Sequence, residues 1–118
     1  MRVTFLGTSG AVPTTERNPS AVQIEREGDR LLLDCGEGTQ RQMMRYGTGF
    51  DIGHVSLTHL HGDHVFGLPG LLQTMDFNER DAPLAVHAPA GTRDRVERLL
   101  APTGENPSFP VRVHQVSP

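Results

Sequence analysis

The densest group of chemically active side chains lies in residues 58–64, which read Thr-His-Leu-His-Gly-Asp-His. The imidazoles of His59, His61 and His64 and the carboxylate of Asp63 fall within six residues. Imidazole nitrogen and carboxylate oxygen are ligands that suit Zn²⁺, Mn²⁺ or Fe²⁺. Without a cation, four ionisable groups crowded into one loop would be costly to bury. This histidine segment therefore predicts a metal site, in preference to a polar loop in which each histidine caps a turn.

The spacing within the histidine segment indicates how the ligands would be shared. His59 and His61 are two residues apart, so an extended backbone places both side chains on the same side. Asp63 and His64 are adjacent and must point elsewhere. We expect His59 and His61 to bind one cation, and Asp63 and His64 to bind a second one nearby. Two neighbouring metal ions are typical of hydrolytic enzymes.

Length and composition limit the class of protein. The 118 residues have room for one domain or for part of one. An apolar content of 36% and 13 glycines indicate a globular chain with many turns. The net charge of -3 gives no sign of the basic patch that dedicated nucleic-acid binders show. All 11 basic residues are arginine, which suits phosphate binding, although genome composition explains the lack of lysine equally well.

The lone cysteine and the lack of long apolar runs indicate where the protein works. Cys35 is the single cysteine, which excludes an internal disulfide and fits a reducing compartment. It is either a soft metal ligand or a small buried residue, and the second role is the commoner one. No apolar run approaches the length of a membrane span, and the N-terminus lacks the apolar segment of a signal peptide. We expect a cytoplasmic protein with no membrane partner.

Apolar periodicity predicts short strands alternating with helices. A strand over 3–6 is followed by a hairpin of strands 21–25 and 30–34, with its turn at Gly28-Asp29. A helix over 40–46 follows, with Thr39 as its N-cap and Gly47 at its end. A strand over 54–58 leads into the histidine segment. The remaining predicted elements are a helix from Pro69 to Asn78 that buries Leu71, Leu72 and Met75, a strand over 84–87, a helix from about 92 to 100 that buries Val96, Leu99 and Leu100, and a strand over 111–116.

Asp34 stands at the end of a predicted strand, just before Cys35 and Gly36. A carboxylate in this position could orient an imidazole that binds a metal ion. It could equally be a turn carboxylate that accepts hydrogen bonds from nearby backbone amides. The sequence leaves both roles open.

Four segments together resemble a known protein family. They are residues 5–13 (Phe-Leu-Gly-Thr-Ser-Gly-Ala-Val-Pro) with Arg17 and Asn18, residues 33–40 (Leu-Asp-Cys-Gly-Glu-Gly-Thr-Gln), the histidine segment, and residues 67–71 (Gly-Leu-Pro-Gly-Leu). The histidine segment resembles the signature of the metallo-β-lactamase superfamily. The full set resembles the ribonuclease Z family of tRNA 3′-processing endonucleases, and the matches run through nearly the whole chain.

This resemblance implies both a fold and an activity. The fold would be of the α/β class, namely the N-terminal half of a metallo-β-lactamase αββα sandwich, a mixed β-sheet with flanking helices. Residues 1–118 would form the N-terminal part of that domain. The activity would be that of a zinc-dependent phosphodiesterase, usually a homodimer, which removes the 3′ trailer from precursor tRNA and leaves a 3′-hydroxyl. A complete active site would hold two zinc ions.

The resemblance also implies roles for single residues. His59 and His61 would bind one zinc ion, while Asp63 and His64 would bind the other. Asp63 would in addition act as general base toward the attacking water, and Asp34 would be the structural aspartate behind the site. Arg17 and Asn18 would lie in a loop near the tRNA 3′ end. For Arg17 the alternative is a solvated loop arginine without a substrate contact.

The chain departs from the family in length. Family members are longer and complete the metal site with a histidine, a bridging aspartate and a final histidine from the second half of the fold. The other histidines here, His54, His87 and His114, stand in no second ligand motif. We therefore expect the N-terminal portion of such an enzyme, with a bare sheet face and edge, inactive unless a partner chain supplies the missing ligands. Two alternatives stay open: another superfamily hydrolase, acting on small esters or phosphodiesters, and a non-catalytic truncated interaction module.

Overall fold

Six strands form one mixed sheet in the computed structural model, which describes residues 1–8 and 20–117 except for the side chain of Asp63. The strands lie side by side in chain order: β1 (Arg2–Gly7), β2 (Ala21–Arg26), β3 (Asp29–Leu33), β4 (His54–Ser56), β5 (Leu84–Pro89) and β6 (Val111–Val116). The first three strands pair antiparallel, and β3 to β6 pair parallel. Arg17 and Asn18, the predicted substrate-loop residues, lie outside the described residues.

The hairpin of β2 and β3 turns one residue earlier than predicted. Glu27 and Gly28 both have positive φ, of 52° and 88°, which is the backbone shape of the tight turn that matches strand twist. Strand β3 therefore begins at Asp29 and ends at Leu33, one residue before its predicted end. It ends there because Asp34 adopts a φ of 61°, which a strand does not tolerate.

Four helices connect the parallel strands: α1 (Thr39–Arg45), α2 (Gly62–Val65), α3 (Leu68–Phe77) and α4 (Arg93–Leu100). The prediction that Thr39 is the N-cap of α1 is wrong. Gly38, with a φ of 80°, already turns the chain into the helix, and the Thr39 hydroxyl instead donates to the Gly36 carbonyl at 2.6 Å. Helix α2 was not predicted, because a single turn is too short to show periodicity.

The helices and one face of the sheet enclose the core. Leu32, Val55 and Val86 are opposite one another on β3, β4 and β5, and all three are fully buried. The helices contribute buried side chains at 3.6-residue spacing, as predicted for Leu71, Leu72, Met75, Val96 and Leu100, while Leu99 is only partly buried. None of the helices in the described ranges is long and apolar enough to cross a membrane.

The opposite face of the sheet is uncovered. Phe5 on β1 is opposite Val22, which is opposite Leu33, and these side chains point away from the helices because neighbouring residues alternate between faces. Phe5 is 64% exposed and Val116, on the same face, is 54% exposed. The predicted bare sheet face is thus confirmed within residues 1–8 and 20–117.

Candidate metal centre

The ends of β3 and β4 build the site. These strands are parallel, so their carboxyl ends meet at one edge of the sheet. Asp34 follows β3 and Thr58 follows β4, two residues after the strand ends at Ser56. Strand β4 is therefore shorter than the predicted 54–58, and the histidine segment leaves the sheet as irregular backbone that enters α2.

The histidine segment brings its three imidazoles together. The ring centroid of His59 lies 3.8 Å from that of His64 and 4.6 Å from that of His61. Helix α2 makes this possible, because the His64 backbone N–H donates to the His61 carbonyl at 2.9 Å and folds the segment back on itself. Asp63 lies in the same helical turn. Three of the four predicted ligand side chains thus form one cluster.

Asp34 ties this cluster to the sheet. Its side chain is buried, and Oδ1 accepts a hydrogen bond from the Thr58 backbone N–H at 2.8 Å. Its Oδ2 lies 2.8 Å from Nδ1 of His64 and 2.9 Å from the Thr58 hydroxyl. Asp34 therefore contacts both an imidazole, that of His64, and a backbone amide, that of Thr58, which lies 24 residues away in the chain.

A second set of contacts holds the segment in place and was not found from the sequence. The Cys35 N–H donates to the His64 carbonyl at 2.7 Å, and the Gly67 N–H donates to the Cys35 carbonyl at 2.9 Å. A Cβ atom on Gly67 would lie 2.0 Å from the Gly36 carbonyl oxygen, so the two chain segments touch backbone to backbone. Glycine at 36 and at 67 is the signal in the sequence, but only the fold shows that the two residues meet.

Cys35 is a buried residue of the core and not an exposed thiol. Its side chain is inaccessible to solvent. Burial raises the pKa of the Cys35 thiol to about 12, although a hydrogen bond with Thr39 acts in the opposite direction. A neutral, enclosed thiol is a poor metal ligand, because metal ions bind the thiolate.

The other three histidines form a separate group, which we name the histidine ladder: His54, His87 and His114. Their rings stack across β4, β5 and β6 with centroids 5.4 Å and 5.3 Å apart. Nδ1 of His54 lies 3.1 Å from Nε2 of His87. Burial, together with the charges of His54 and His114, lowers the pKa of His87. The ladder lies on the uncovered face and not in the imidazole cluster.

The histidine ladder predicts a loss of stability in acid. Because the pKa of His87 is lower in the folded chain than its ordinary value of 6.5, the unfolded chain takes up the proton first as the pH falls. Stability present above pH 6.5 is therefore lost below it. Urea titrations at pH 8 and pH 5.5 measure this loss. Between the two pH values, the free energy of unfolding should fall less for His87→Gln than for the unmodified chain. His114→Gln removes a histidine at the exposed end of the ladder, and its fall in free energy of unfolding should lie between those of His87→Gln and the unmodified chain. Equal falls for all three proteins would contradict this prediction.

The donor set suits a transition-metal ion but does not complete a site. Among the side chains that the structure describes, which leave out Asp63, no group of three or more His, Cys, Asp and Glu is arranged to hold a metal ion. Three clustered imidazoles, one of them paired with a buried carboxylate, nevertheless form the kind of ligand group that Zn²⁺ prefers. His59, His61 and His64 thus fit part of a ligand set, and further ligands are needed to close it.

The sheet, its helices and the imidazole cluster define a protein of the metallo-β-lactamase fold. The short form of human tRNase Z superposes with a TM-score of 0.85 at 43% identity, over 98% of this chain and 44% of that one. The Bacillus subtilis metallo-β-lactamase fold protein YhfI superposes with a TM-score of 0.81 at 19% identity, which supports the fold alone. The predicted fold, the N-terminal half of a metallo-β-lactamase sandwich, is confirmed.

A family model described as "Anti-Pycsar protein Apyc1" matches residues 1–107, and the chain belongs to this family. Ribonuclease Z from Haloarcula marismortui is 68% identical over 117 residues, which are 99% of this chain and 38% of that protein. Ribonuclease Z from Haloferax volcanii is 62% identical over 118 residues. The resemblance to ribonuclease Z is confirmed. The chain spans 38% or less of the length of these two relatives.

Proposed function

We propose that the chain is the N-terminal part of a ribonuclease Z, an endonuclease that removes the 3′ trailer from precursor tRNA and leaves a 3′-hydroxyl. The observation that carries the proposal is the cluster of His59, His61 and His64 beside Asp34 at the ends of β3 and β4. Histidine clusters of this kind bind the metal ions of hydrolytic enzymes. This one belongs to a chain that is 68% identical to a protein named ribonuclease Z.

In this proposal the chain supplies half of the metal site. His59 and His61 would hold one ion, and His64 with Asp63 the other. Two divalent ions, when bound, would supply an activated water and stabilise charge on the phosphoryl oxygens. Asp63 would accept the proton of that water. Asp34 holds the His64 ring in place through its 2.8 Å contact, and Arg17 with Asn18 would bind the substrate near its 3′ end.

The remaining ligands would come from outside residues 1–118, either from a further part of the same protein or from a partner subunit. The uncovered sheet face supports this, because Phe5 and Val116 leave apolar area in water. We propose Zn²⁺ as the metal, with Mn²⁺ or Fe²⁺ as substitutes, and a homodimer as the working assembly. We further propose that the enzyme acts in the cytoplasm, where a lone reduced cysteine is stable.

A second candidate function is hydrolysis of a small phosphodiester. It stays open because the metal chemistry proposed for the cluster acts on a phosphodiester whether or not that bond lies in an RNA. The two functions share the metal chemistry but differ in substrate, so a direct comparison of substrates separates them.

We would test the proposal in a chimaera in which this chain replaces the matching N-terminal part of Haloarcula marismortui ribonuclease Z. The chimaera should bind two Zn²⁺ and cleave precursor tRNA. His61→Ala should lose zinc and lower cleavage by at least about 100-fold, because loss of a ligand exceeds the 10–100-fold cost of losing an outer-shell partner. Zinc would be measured by elemental mass spectrometry, and cleavage by gel assay.

The matched control is His54→Ala, which removes an exposed histidine of the ladder instead of one from the cluster. It should keep both zinc and cleavage. Full zinc content in His61→Ala would show that the ligand assignment is wrong. A zinc-loaded chimaera that cleaves bis(p-nitrophenyl) phosphate but no precursor tRNA would favour the second candidate function.

A further inference from the structure

Thr58 is not one of the proposed metal ligands, yet its hydroxyl group lies close to two of them. Its hydroxyl oxygen lies 2.9 Å and 3.1 Å from the two carboxylate oxygens of Asp34. The same oxygen lies 3.2 Å from Nδ1 of His59 and 3.4 Å from Nδ1 of His64. One hydroxyl thus stands between a buried carboxylate and two imidazoles of the cluster.

The protons available to these groups determine which of them donate and which accept hydrogen bonds. A carboxylate only accepts, so the single hydroxyl proton of Thr58 must go to Asp34 for their 2.9 Å contact to be favourable. The lone pairs of the hydroxyl oxygen are then left for a donor. The contact with His59 is a hydrogen bond only if Nδ1 of that ring carries a proton and donates it to Thr58.

Nδ1 of His64 also carries a proton, because it contacts the Asp34 carboxylate directly. Its Nδ1 lies 2.8 Å from Asp34 Oδ2, closer than the 3.4 Å to the Thr58 hydroxyl. Since the carboxylate accepts, this Nδ1 also carries its proton. His59 is therefore the imidazole left to pair with Thr58, and Asp34 acts on both rings, on one directly and on the other through Thr58.

We propose that Thr58 is a positioning residue whose hydroxyl, anchored by Asp34, holds His59 in the Nδ1–H tautomer and so leaves its Nε2 free to bind a metal ion. The proposal rests on the metal site of the proposed function. It goes beyond that function because it assigns a role to a residue that is not itself a ligand. Partners of this kind fix the ring orientation and the tautomer of metal-binding histidines in general.

The test compares one substitution that removes the hydroxyl with one that keeps it. Thr58→Val keeps the branched shape and removes the hydroxyl, whereas Thr58→Ser keeps the hydroxyl. Long-range ¹⁵N–¹H spectra of the metal-free chain at pH 8 report the tautomer of His59. The unmodified chain and Thr58→Ser should show Nδ1–H, and Thr58→Val should show a mixture that includes Nε2–H. If Thr58→Val folds poorly, Thr58→Ala serves as a second variant, because it removes the hydroxyl without placing a methyl group against the Asp34 carboxylate.

Zinc affinity of the chimaera described above, measured by competition with a chromogenic chelator, gives a second readout. Thr58→Val should bind Zn²⁺ about tenfold more weakly, at the low end of outer-shell effects because Thr58 is exposed to water. Thr58→Ser should bind like the unmodified chain. The proposal is overturned if folded Thr58→Val and Thr58→Ala both keep the Nδ1–H form, or if Thr58→Ser loses as much affinity as Thr58→Val. A shifted tautomer in this chain, together with a chimaera that binds no zinc, would refute the metal site and leave the role of Thr58 standing.

Discussion

Asp34→Ala is expected to lower the free energy of unfolding by about 3 kcal/mol. The substitution removes a buried carboxylate that accepts from the Thr58 N–H and hydroxyl and that lies 2.8 Å from His64 Nδ1. Part of the loss, about 1 kcal/mol, comes from placing alanine at a φ of 61°. Urea titration measures the total, and the zinc affinity of the chimaera that carries Asp34→Ala should fall 10- to 100-fold.

Two further variants separate these effects. Asp34→Gly loses the carboxylate but accepts the positive φ without strain. Asp34→Asn tolerates that φ and keeps one acceptor oxygen, so it should fall between Asp34→Ala and the unmodified chain. The matched control is Asp81→Ala, which removes an exposed carboxylate and should change stability by no more than about 0.5 kcal/mol. If Asp34→Ala also changed the free energy of unfolding by no more than about 0.5 kcal/mol, Asp34 would not hold the site together.

Gly67→Ala is expected to cost about 3 kcal/mol of stability, the upper end for overpacking. Its Cβ would lie 2.0 Å from the Gly36 carbonyl oxygen and 3.0 Å from the carbonyl carbon, which are backbone atoms that cannot rotate away. The two segments must then separate, which breaks the bond from the Gly67 N–H to Cys35 and strains that from the Cys35 N–H to His64. Thermal and urea unfolding measure the loss.

The chain offers a matched control for this prediction. A Cβ on Gly53 would meet no atom within 4 Å, and Gly53 is not among the glycines with positive φ. Gly53→Ala should therefore leave stability unchanged within about 0.5 kcal/mol. Equal stability of the two alanine variants would show that residues 36 and 67 separate at little cost.

Much of the secondary structure was predictable because its cause is local. The alternation in residues 21–25 and the helical spacing of Leu71, Leu72 and Met75 depend on which face of an element is buried, and neighbouring residues reveal that face. The errors are also local. Thr39 has the side chain of an N-cap, but the positive φ of Gly38 decides where α1 begins. The single turn of α2 left no periodic signal.

The types and the order of the proposed ligands were determined by the sequence alone, because three imidazoles and a carboxylate stand within six consecutive residues, 59–64. The tertiary structure alone decided what holds them. Asp34 meets Thr58 across 24 residues, and Gly36 meets Gly67 across the same edge of the sheet. The histidine ladder likewise follows from the register of three parallel strands. Such contacts depend on how distant segments pair, and that pairing is fixed by burying the common core, not by any residue's neighbours in the chain.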